Sequence, residues 1–184
     1  MILALDSYYK DDICNTSLVV FEYLDSDKPL YTDTIYTDIT SDYIPGEFYK
    51  RELPGIIKIL EKLKREKLDI WDNITLIITD SFITLKDDNN NEWDGLGAYL
   101  DKYLKSNGEN KTICGVAKSN FGWCHEISKA AFRGESSKPL YVQATNNCTK
   151  LAAWAVQKMH GKYRIPTMFK LVDQLSRIFP DNKG

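Results

Sequence analysis

The first quarter of the chain contains three segments whose apolar, β-branched and aromatic residues are typical of β-strands. Residues 2–7 are mostly apolar, residues 15–24 contain the run Leu-Val-Val-Phe, and residues 29–39 alternate in polarity and are rich in Thr and Tyr. β-Branched and aromatic residues in such runs predict three strands. Because the polar links between them are short, we expect the three strands to form an antiparallel meander.

The remainder of the chain mixes helical and strand patterns. From Glu47 onwards apolar side chains recur at helical spacing, and Pro54 is expected either to kink this helix or to restart it near Leu53. The same criteria predict further strands over 74–79, 112–117 and 139–144, and helices over 94–105, 148–159 and 167–179. Strands that alternate with helices after a meander predict an α/β fold with a mixed β-sheet flanked by helices, formed by one domain over residues 1–184.

The composition is that of a globular protein. Of the 184 residues, 43% are hydrophobic and 27% are charged, which excludes collagen, coiled coil and disorder. No apolar run approaches the roughly 18 residues that a bilayer-spanning helix needs, and the apolar N-terminus is too short for a signal peptide. The cysteines are too dispersed for a structural zinc site, so we expect free thiols in a cytoplasmic protein without membrane contacts: Cys14, Cys114, Cys124 and Cys148.

The net charge of −2 conceals a strong asymmetry along the chain. Residues 1–44 hold nine acids and two bases, whereas residues 111–172 hold ten bases and two acids. The second stretch has the sign that a nucleic-acid-binding surface needs. The alternative is an ordinary solvated surface, which charge alone favours.

Carboxylates at the ends of two predicted strands suggest a metal site. Asp6 and Asp80 both come directly after strongly apolar residues, and neighbouring strands lie only about 4.8 Å apart. Together with Glu52 from the first helix they would offer the oxygen ligands that Mg²⁺ and Mn²⁺ prefer. Lys118, just past the strand 112–117, would neutralise phosphate charge. The alternative is that these aspartates are ordinary turn residues, and spacing alone favours it.

Segment 43–54 carries a recognisable motif. It reads Tyr-Ile-Pro-Gly-Glu-Phe-Tyr-Lys-Arg-Glu-Leu-Pro and resembles the Tyr-Ile-Pro-Gly…Arg-Glu motif of the endonuclease V family. Further blocks resemble that family in the same order along nearly the whole chain: Asp6-Ser-Tyr-Tyr9, the strand ending at Asp80, and residues 95–100, 115–118, 133–134, 138–142 and 163–167 with Asp173.

This resemblance implies a fold and an activity. The implied fold is ribonuclease H-like, and the implied activity is a Mg²⁺-dependent endonuclease of DNA repair that recognises inosine, the product of adenine deamination. Members of the family cut a phosphodiester bond on the 3′ side of the lesion and leave the base in place. We therefore expect a monomer whose partner is inosine-containing DNA or RNA.

The resemblance also implies roles for individual residues. It assigns catalysis to Asp6, Glu52, Asp80 and Lys118, and it adds Asp173 to the three acids as a ligand of Mg²⁺ or Mn²⁺. In the family, a wedge that corresponds to the first three residues of the Tyr-Ile-Pro-Gly motif fills the space left when the base is flipped out. The full set of implied nucleic-acid contacts is Tyr43, Ile44, Pro45, Gly46, Gly95 and Lys118.

The sequence departs from the family pattern at three places. At the third acid the family usually has a glycine-rich stretch of the Asp-Gly-x-Gly kind, but here the chain reads Asp80-Ser-Phe-Ile83. The histidine usually found just beyond is replaced by Lys86-Asp-Asp88, and the usual Ser-x-Gly-His is replaced by Gln143-Ala-Thr-Asn146. Two alternatives therefore stay open, a related nuclease with another lesion or structure preference and a binding protein that does not cleave. The retained acids and Lys118 argue against the second.

Overall fold

The computed structural model describes residues 1–39 and 49–180, which fold into alternating strands and helices. The strands are β1 (Ile2–Lys10), β2 (Ile13–Phe21), β3 (Tyr31–Asp38), β4 (Leu76–Thr79), β5 (Thr84–Lys86), β6 (Glu92–Asp94), β7 (Thr112–Ala117), β8 (Lys129–Ala131) and β9 (Leu140–Ala144). The helices are α1 (Tyr49–Glu66), α2 (Leu68–Asn73), α3 (Leu96–Ser106), α4 (Thr149–Lys158) and α5 (Thr167–Ser176). Within these ranges no helix has the length and apolar character to cross a membrane.

Seven of the strands form one mixed sheet. Their order is β3-β2-β1-β4-β7-β9-β8, and β5 pairs with β6 in a separate hairpin. The antiparallel meander β1–β3 is confirmed, and β4 and β7 continue the sheet as strands parallel to β1. Strands β9 and β8 complete it in antiparallel orientation. The predicted α/β fold with a mixed sheet is therefore confirmed.

Helices cover both faces of this sheet. On one face α1 and α3 bury side chains such as Ile59 against Leu3, and on the other α4 and α5 bury side chains such as Val172 against Ala4. Successive residues of β1 thus point into different cores, as the pleat of a strand requires. Burial on both faces also explains why β1 and the second half of β2 read as continuous apolar runs rather than as alternating ones.

Four short elements were not predicted from the sequence. Helix α2, strand β8 and the β5–β6 hairpin are too short, at three to six residues each, to produce a hydrophobic period. The prediction that a helix restarts near Leu53 is wrong, because α1 runs from Tyr49 through Pro54 to Glu66. Pro54 is the sixth residue of α1, and it lacks the N–H that the helix would use at this position.

A buried arginine fixes the end of α4 and the segment that leads to α5. Arg133 is 2% exposed, and its guanidinium donates to the carbonyls of Val156 at 2.5 Å, Met159 at 3.0 Å, Gly161 at 2.9 Å and Tyr163 at 3.1 Å. These carbonyls include helix-end groups that have no partner within α4. One side chain therefore satisfies the helix terminus and the turn that follows it.

We expect Arg133→Met to lower the free energy of unfolding by at least about 3 kcal/mol, because it leaves several inward-facing carbonyls unsatisfied. Urea denaturation followed by circular dichroism measures this. The matched control is Lys158→Met, an exposed position at the end of α4, which should change the free energy by no more than about 0.5 kcal/mol. Equal effects of the two substitutions would contradict the role given to Arg133.

Candidate active site

A cavity of about 510 Å³ opens where β1, β4 and β7 lie side by side. Charged side chains of both signs line its wall. The acids are Asp6, Asp80 and Asp173, and the bases are Lys118, Lys170 and Arg177. Such a lining suits a ligand that combines anionic groups with a cation.

The sheet register places the two central aspartates opposite each other. Parallel pairing of β1 with β4 sets Ala4 beside Ile78, and the same offset carried two residues further sets Asp6 beside Asp80. Side chains at the same level of adjacent parallel strands point to the same face of a sheet. The predicted proximity of these two carboxyl groups therefore follows directly from the pairing.

The location of Asp6 in its strand differs from the prediction. Asp80 directly follows β4, as expected, but Asp6 lies inside β1 and pairs with Ser17 of β2. Strand β1 continues to Lys10 because β2 offers it a partner along its whole length, whereas its pairing with β4 ends earlier. Asp6 thus lies just beyond the end of the pairing between β1 and β4, although β1 itself continues to Lys10.

Two helices bring further carboxyl groups to these aspartates from opposite faces of the sheet. Glu52 belongs to the first turn of α1, and its charge interacts with that of Asp80. Asp173 lies on α5, lines the cavity and interacts with both Asp6 and Asp80. The fold therefore gathers all four acids that the sequence singled out, one each from β1, α1, the end of β4, and α5.

The proximity of these groups shifts their protonation. Burial raises the pKa of Asp6 to about 8, and the negative charges of Asp80 and Asp173 add to this effect. Burial and the charge of Asp80 likewise raise the pKa of Glu52 to about 8. Asp80 is open to the cavity, but protein surrounds its other sides, and this desolvation raises its pKa as well. The cluster thus retains protons that a cation would displace.

The donor chemistry of the cluster fits Mg²⁺ or Mn²⁺. Both ions prefer carboxylate oxygens and retain several water ligands, so a few carboxylates suffice. In the part of the chain that the structure describes, no three Asp, Glu, Cys or His side chains are already close enough to hold an ion. The cluster matches the ion in the type and charge of its ligands, not in a preformed coordination geometry.

Lys118 extends from the end of β7 into the same cavity. Its positive charge offsets part of the rise in the pKa of Asp80. The register of β4 with β7 sets Val116 level with Asp80. The prediction that Lys118 lies level with the aspartates is therefore corrected by two residues, or about 6.6 Å of strand. Arg164 fixes the backbone here by donating to the carbonyls of Lys118 and Pro139.

Gly95 supports the segment that follows Asp80. It is buried at the start of α3, its N–H donates to the carbonyl of Ile83 at 2.7 Å, and a Cβ at this position would collide with the carbonyl oxygen of Phe82. Its predicted contact with nucleic acid stays a prediction. The other predicted contacts of this group lie outside the described residues: Tyr43, Ile44, Pro45 and Gly46.

Gln143 holds the same segment from the other side, a role that the sequence analysis missed. The side chain is 1% exposed, and its Oε1 accepts from the N–H groups of Ile83 at 2.8 Å and Thr84 at 2.9 Å. Its Nε2 donates to the carbonyl of Thr84 at 2.9 Å and to Ser128 Oγ at 3.0 Å. Two departures from the family pattern, after Asp80 and at Gln143, are thus one structural unit. In the sequence, the only sign of this role is an amide side chain within a predicted strand, and an amide alone does not identify its hydrogen-bond partners.

Without metal, the raised carboxyl pKa values should make stability depend on pH. A pKa raised from 3.8 to about 8 means that folded Asp6 holds a proton which the unfolded chain releases. Its contribution to stability is therefore complete below about pH 4 and is lost as pH rises through about 8. We expect Asp6→Asn to flatten the fall of unfolding free energy over this range, measured by urea denaturation in EDTA. Exposed Asp25→Asn is the control, and equal pH slopes for Asp6→Asn and the wild type would contradict the shift.

Solved structures resemble this chain over almost its whole length, although no model of a known protein family and no curated protein sequence matches it. Endonuclease V of Ciona intestinalis, crystallised with a 24mer DNA containing an inosine followed by a ribo-adenosine, matches with a TM-score of 0.72 and 20% identity. The match covers 96% of this chain and 84% of that one.

Two further endonuclease V structures give the same result. The catalytic domain of the human enzyme matches with a TM-score of 0.72 and 17% identity, covering 96% of this chain and 80% of that one. The Bacillus subtilis enzyme matches with a TM-score of 0.67 and 15% identity, covering 95% and 77%. The resemblance first seen in sequence motifs is thus confirmed in three dimensions, and the chain has the endonuclease V fold.

Proposed function

We propose that the protein is a metal-dependent endonuclease of the endonuclease V type, which cleaves a phosphodiester bond on the 3′ side of inosine in DNA or RNA. The observation that carries this proposal is the convergence of three carboxyl groups and three basic side chains at one cavity: Asp6, Asp80 and Asp173 with Lys118, Lys170 and Arg177. A fourth carboxyl group, that of Glu52, lies close enough to Asp80 for their charges to interact. Support also comes from the fold, since a similar protein was crystallised with inosine-containing DNA.

The carboxylates would hold Mg²⁺ or Mn²⁺, which when bound polarises a phosphoryl oxygen and acidifies a bound water. Asp6 and Asp80 are suited to share the ion, because the sheet register sets them opposite each other. Glu52 on α1 and Asp173 on α5 approach this pair from the two faces of the sheet and would supply further carboxylate oxygens to the ion. Because these carboxyls would release protons on binding the ion, its affinity should increase with pH.

The basic side chains would bind the phosphates of the substrate strand. Lys118 lines the same cavity as Asp80 and its charge acts on that carboxyl group, so its ammonium can face the charge that grows on the oxygens of the scissile phosphate. Lys170 and Arg177, both on the α5 side of the cavity, supply further positive charge for the neighbouring backbone. Arg177 also bonds both carboxylate oxygens of Asp173 at 3.2 Å and thereby orients that acid.

A second candidate is a nuclease of the same type with another base or structure preference. The observation that favours it is the segment after Asp80, where the glycines usual in the family are replaced by Ser81 and Ile83. Gln143 fixes the backbone of this segment, so it cannot easily adopt the conformation that glycines allow. Both candidates use the same catalytic groups and differ only in what they recognise.

Cleavage of matched oligonucleotides tests the proposal. The purified protein is incubated with Mg²⁺ and end-labelled strands that carry either inosine or adenine at one position, as DNA and as RNA. We expect a cut on the 3′ side of inosine that EDTA abolishes. Equal cleavage of both strands would support the second candidate instead, and no cleavage of these strands would refute the first.

We expect Asp80→Asn to abolish cleavage in Mg²⁺ while binding of the inosine strand in Ca²⁺ persists. The substitution removes one charged oxygen from the site but leaves the basic side chains that contact phosphate. Single-turnover assays and fluorescence anisotropy measure the two effects. The control is exposed Asp72→Asn on α2, and near-wild-type cleavage by Asp80→Asn would refute the proposed site.

We expect Lys118→Ala to lower the single-turnover rate by about 10² to 10³ at saturating enzyme, with little change in binding. The loss is specific to the transition state because the ammonium faces developing charge, and Lys118→Arg should restore only part of it, since a planar guanidinium places charge differently. Rates over a salt series decide the question. A variant with a normal rate but weaker, less salt-dependent binding would show that Lys118 is only one of many surface bases.

A further inference from the structure

An exposed aromatic ring lies close to two ammonium groups, one of which belongs to a lysine that lines the cavity. Tyr163 is 60% exposed, with Lys170 Nζ at 4.4 Å and Lys162 Nζ at 5.4 Å from the centroid of its ring. We call these three residues the Tyr163 cluster. Within residues 1–39 and 49–180 neither lysine forms an ion pair with an acidic side chain, so both charges are available to an outside ligand.

The backbone beneath the ring is firmly held. Buried Arg133 donates to the carbonyls of Gly161 at 2.9 Å and Tyr163 at 3.1 Å. On the other side, Arg164 donates to the carbonyl of Pro139 at 3.0 Å and also to that of Lys118. Four hydrogen bonds therefore hold the backbone of Tyr163 and of its neighbours in place. The exposed ring belongs to a fixed segment.

The Tyr163 cluster is continuous with the candidate active site. Lys170 lines the cavity and also contacts Tyr163, and it precedes Asp173 by three residues on α5, which puts the two on adjacent positions of one helix face. Arg164 connects the same segment to the backbone of Lys118. A strand that leaves the cavity past Lys170 would thus reach the ring.

We propose that the Tyr163 cluster binds an unpaired nucleotide of the strand whose backbone occupies the cavity. The base stacks on Tyr163, and Lys162 and Lys170 contact the flanking phosphates. An aromatic face beside ammonium groups matches a nucleotide, which has both a planar base and a negative charge, better than it matches an acidic peptide. This inference rests on the proposed function, because it requires that the ligand of the cavity is a nucleic acid. It adds a contact that does not depend on which base is bound.

Binding of an unmodified single strand tests the proposal without cleavage. The full chain is titrated in EDTA with a fluorescein-labelled oligonucleotide of mixed sequence, and anisotropy is recorded. We expect Tyr163→Ala to weaken binding about 5- to 140-fold, the effect of losing one base–aromatic stack, and Tyr163→Phe to bind like the wild type. The matched control is Tyr23→Ala, because Tyr23 is 64% exposed beside the opposite end of β1 and should be neutral.

The two lysines are tested by salt dependence. We expect Lys162→Ala and Lys170→Ala each to reduce the slope of log affinity against log salt by about 0.7, the contribution of one phosphate contact on a single strand. Exposed Lys28→Ala, in the β2–β3 link, is the control and should leave the slope unchanged. Thermal unfolding of each variant verifies that the fold is intact.

Each outcome decides for or against the cluster. Wild-type affinity in Tyr163→Ala, no single-strand binding by the wild type, or equally tight binding of poly-glutamate would overturn it. Cleavage of the inosine strand in Mg²⁺ is measured separately on the wild type. Failure of that assay refutes the proposed function, whereas loss of binding in Tyr163→Ala with normal binding in Tyr23→Ala supports the cluster whether or not cleavage occurs.

Discussion

The short parallel pairing between β1 and β4 is the constraint on which the candidate site depends. It sets Asp6 opposite Asp80, and the helices that cover the two faces of the sheet then bring Glu52 and Asp173 to the same pair. Like charges held this close resist ionisation, so the fold gathers the acids at a cost that hydrophobic burial of β1 on both faces must offset. Proteins that hold such clusters commonly relieve the repulsion with a bound cation.

Strong hydrophobic patterns made much of this architecture predictable. The meander, the mixed sheet and four of the helices follow from apolar runs and helical periods in the sequence. The proximity of Asp6 and Asp80 was predictable too, because both follow apolar runs of strands that pair. The position of Asp6 inside β1 was not, since the length of a strand depends on which neighbour it pairs with, and a sequence does not state its partners.

Other parts of the site depend on contacts that leave little trace in sequence. Gln143 looks like a departure from a motif until its hydrogen bonds to Ile83 and Thr84 are seen. Arg133 stands in a recognised block, yet its role as a cap for the end of α4 depends on carbonyls more than 20 residues away. Long-range polar contacts of this kind are set by tertiary packing, so neither residue spacing nor composition reveals them.

The four hydrogen bonds of Gln143 have a consequence for sequence variation. Each polar atom of the amide is paired, and Ile83 and Thr84 contribute only backbone groups to these bonds. The side chains at 83 and 84 are therefore free to change without disturbing the link, whereas residue 143 is not, because an aliphatic substitute leaves buried groups unpaired and a glutamate lacks the donor. Among relatives that share this loop, we expect an invariant amide at 143 opposite a variable 83–84.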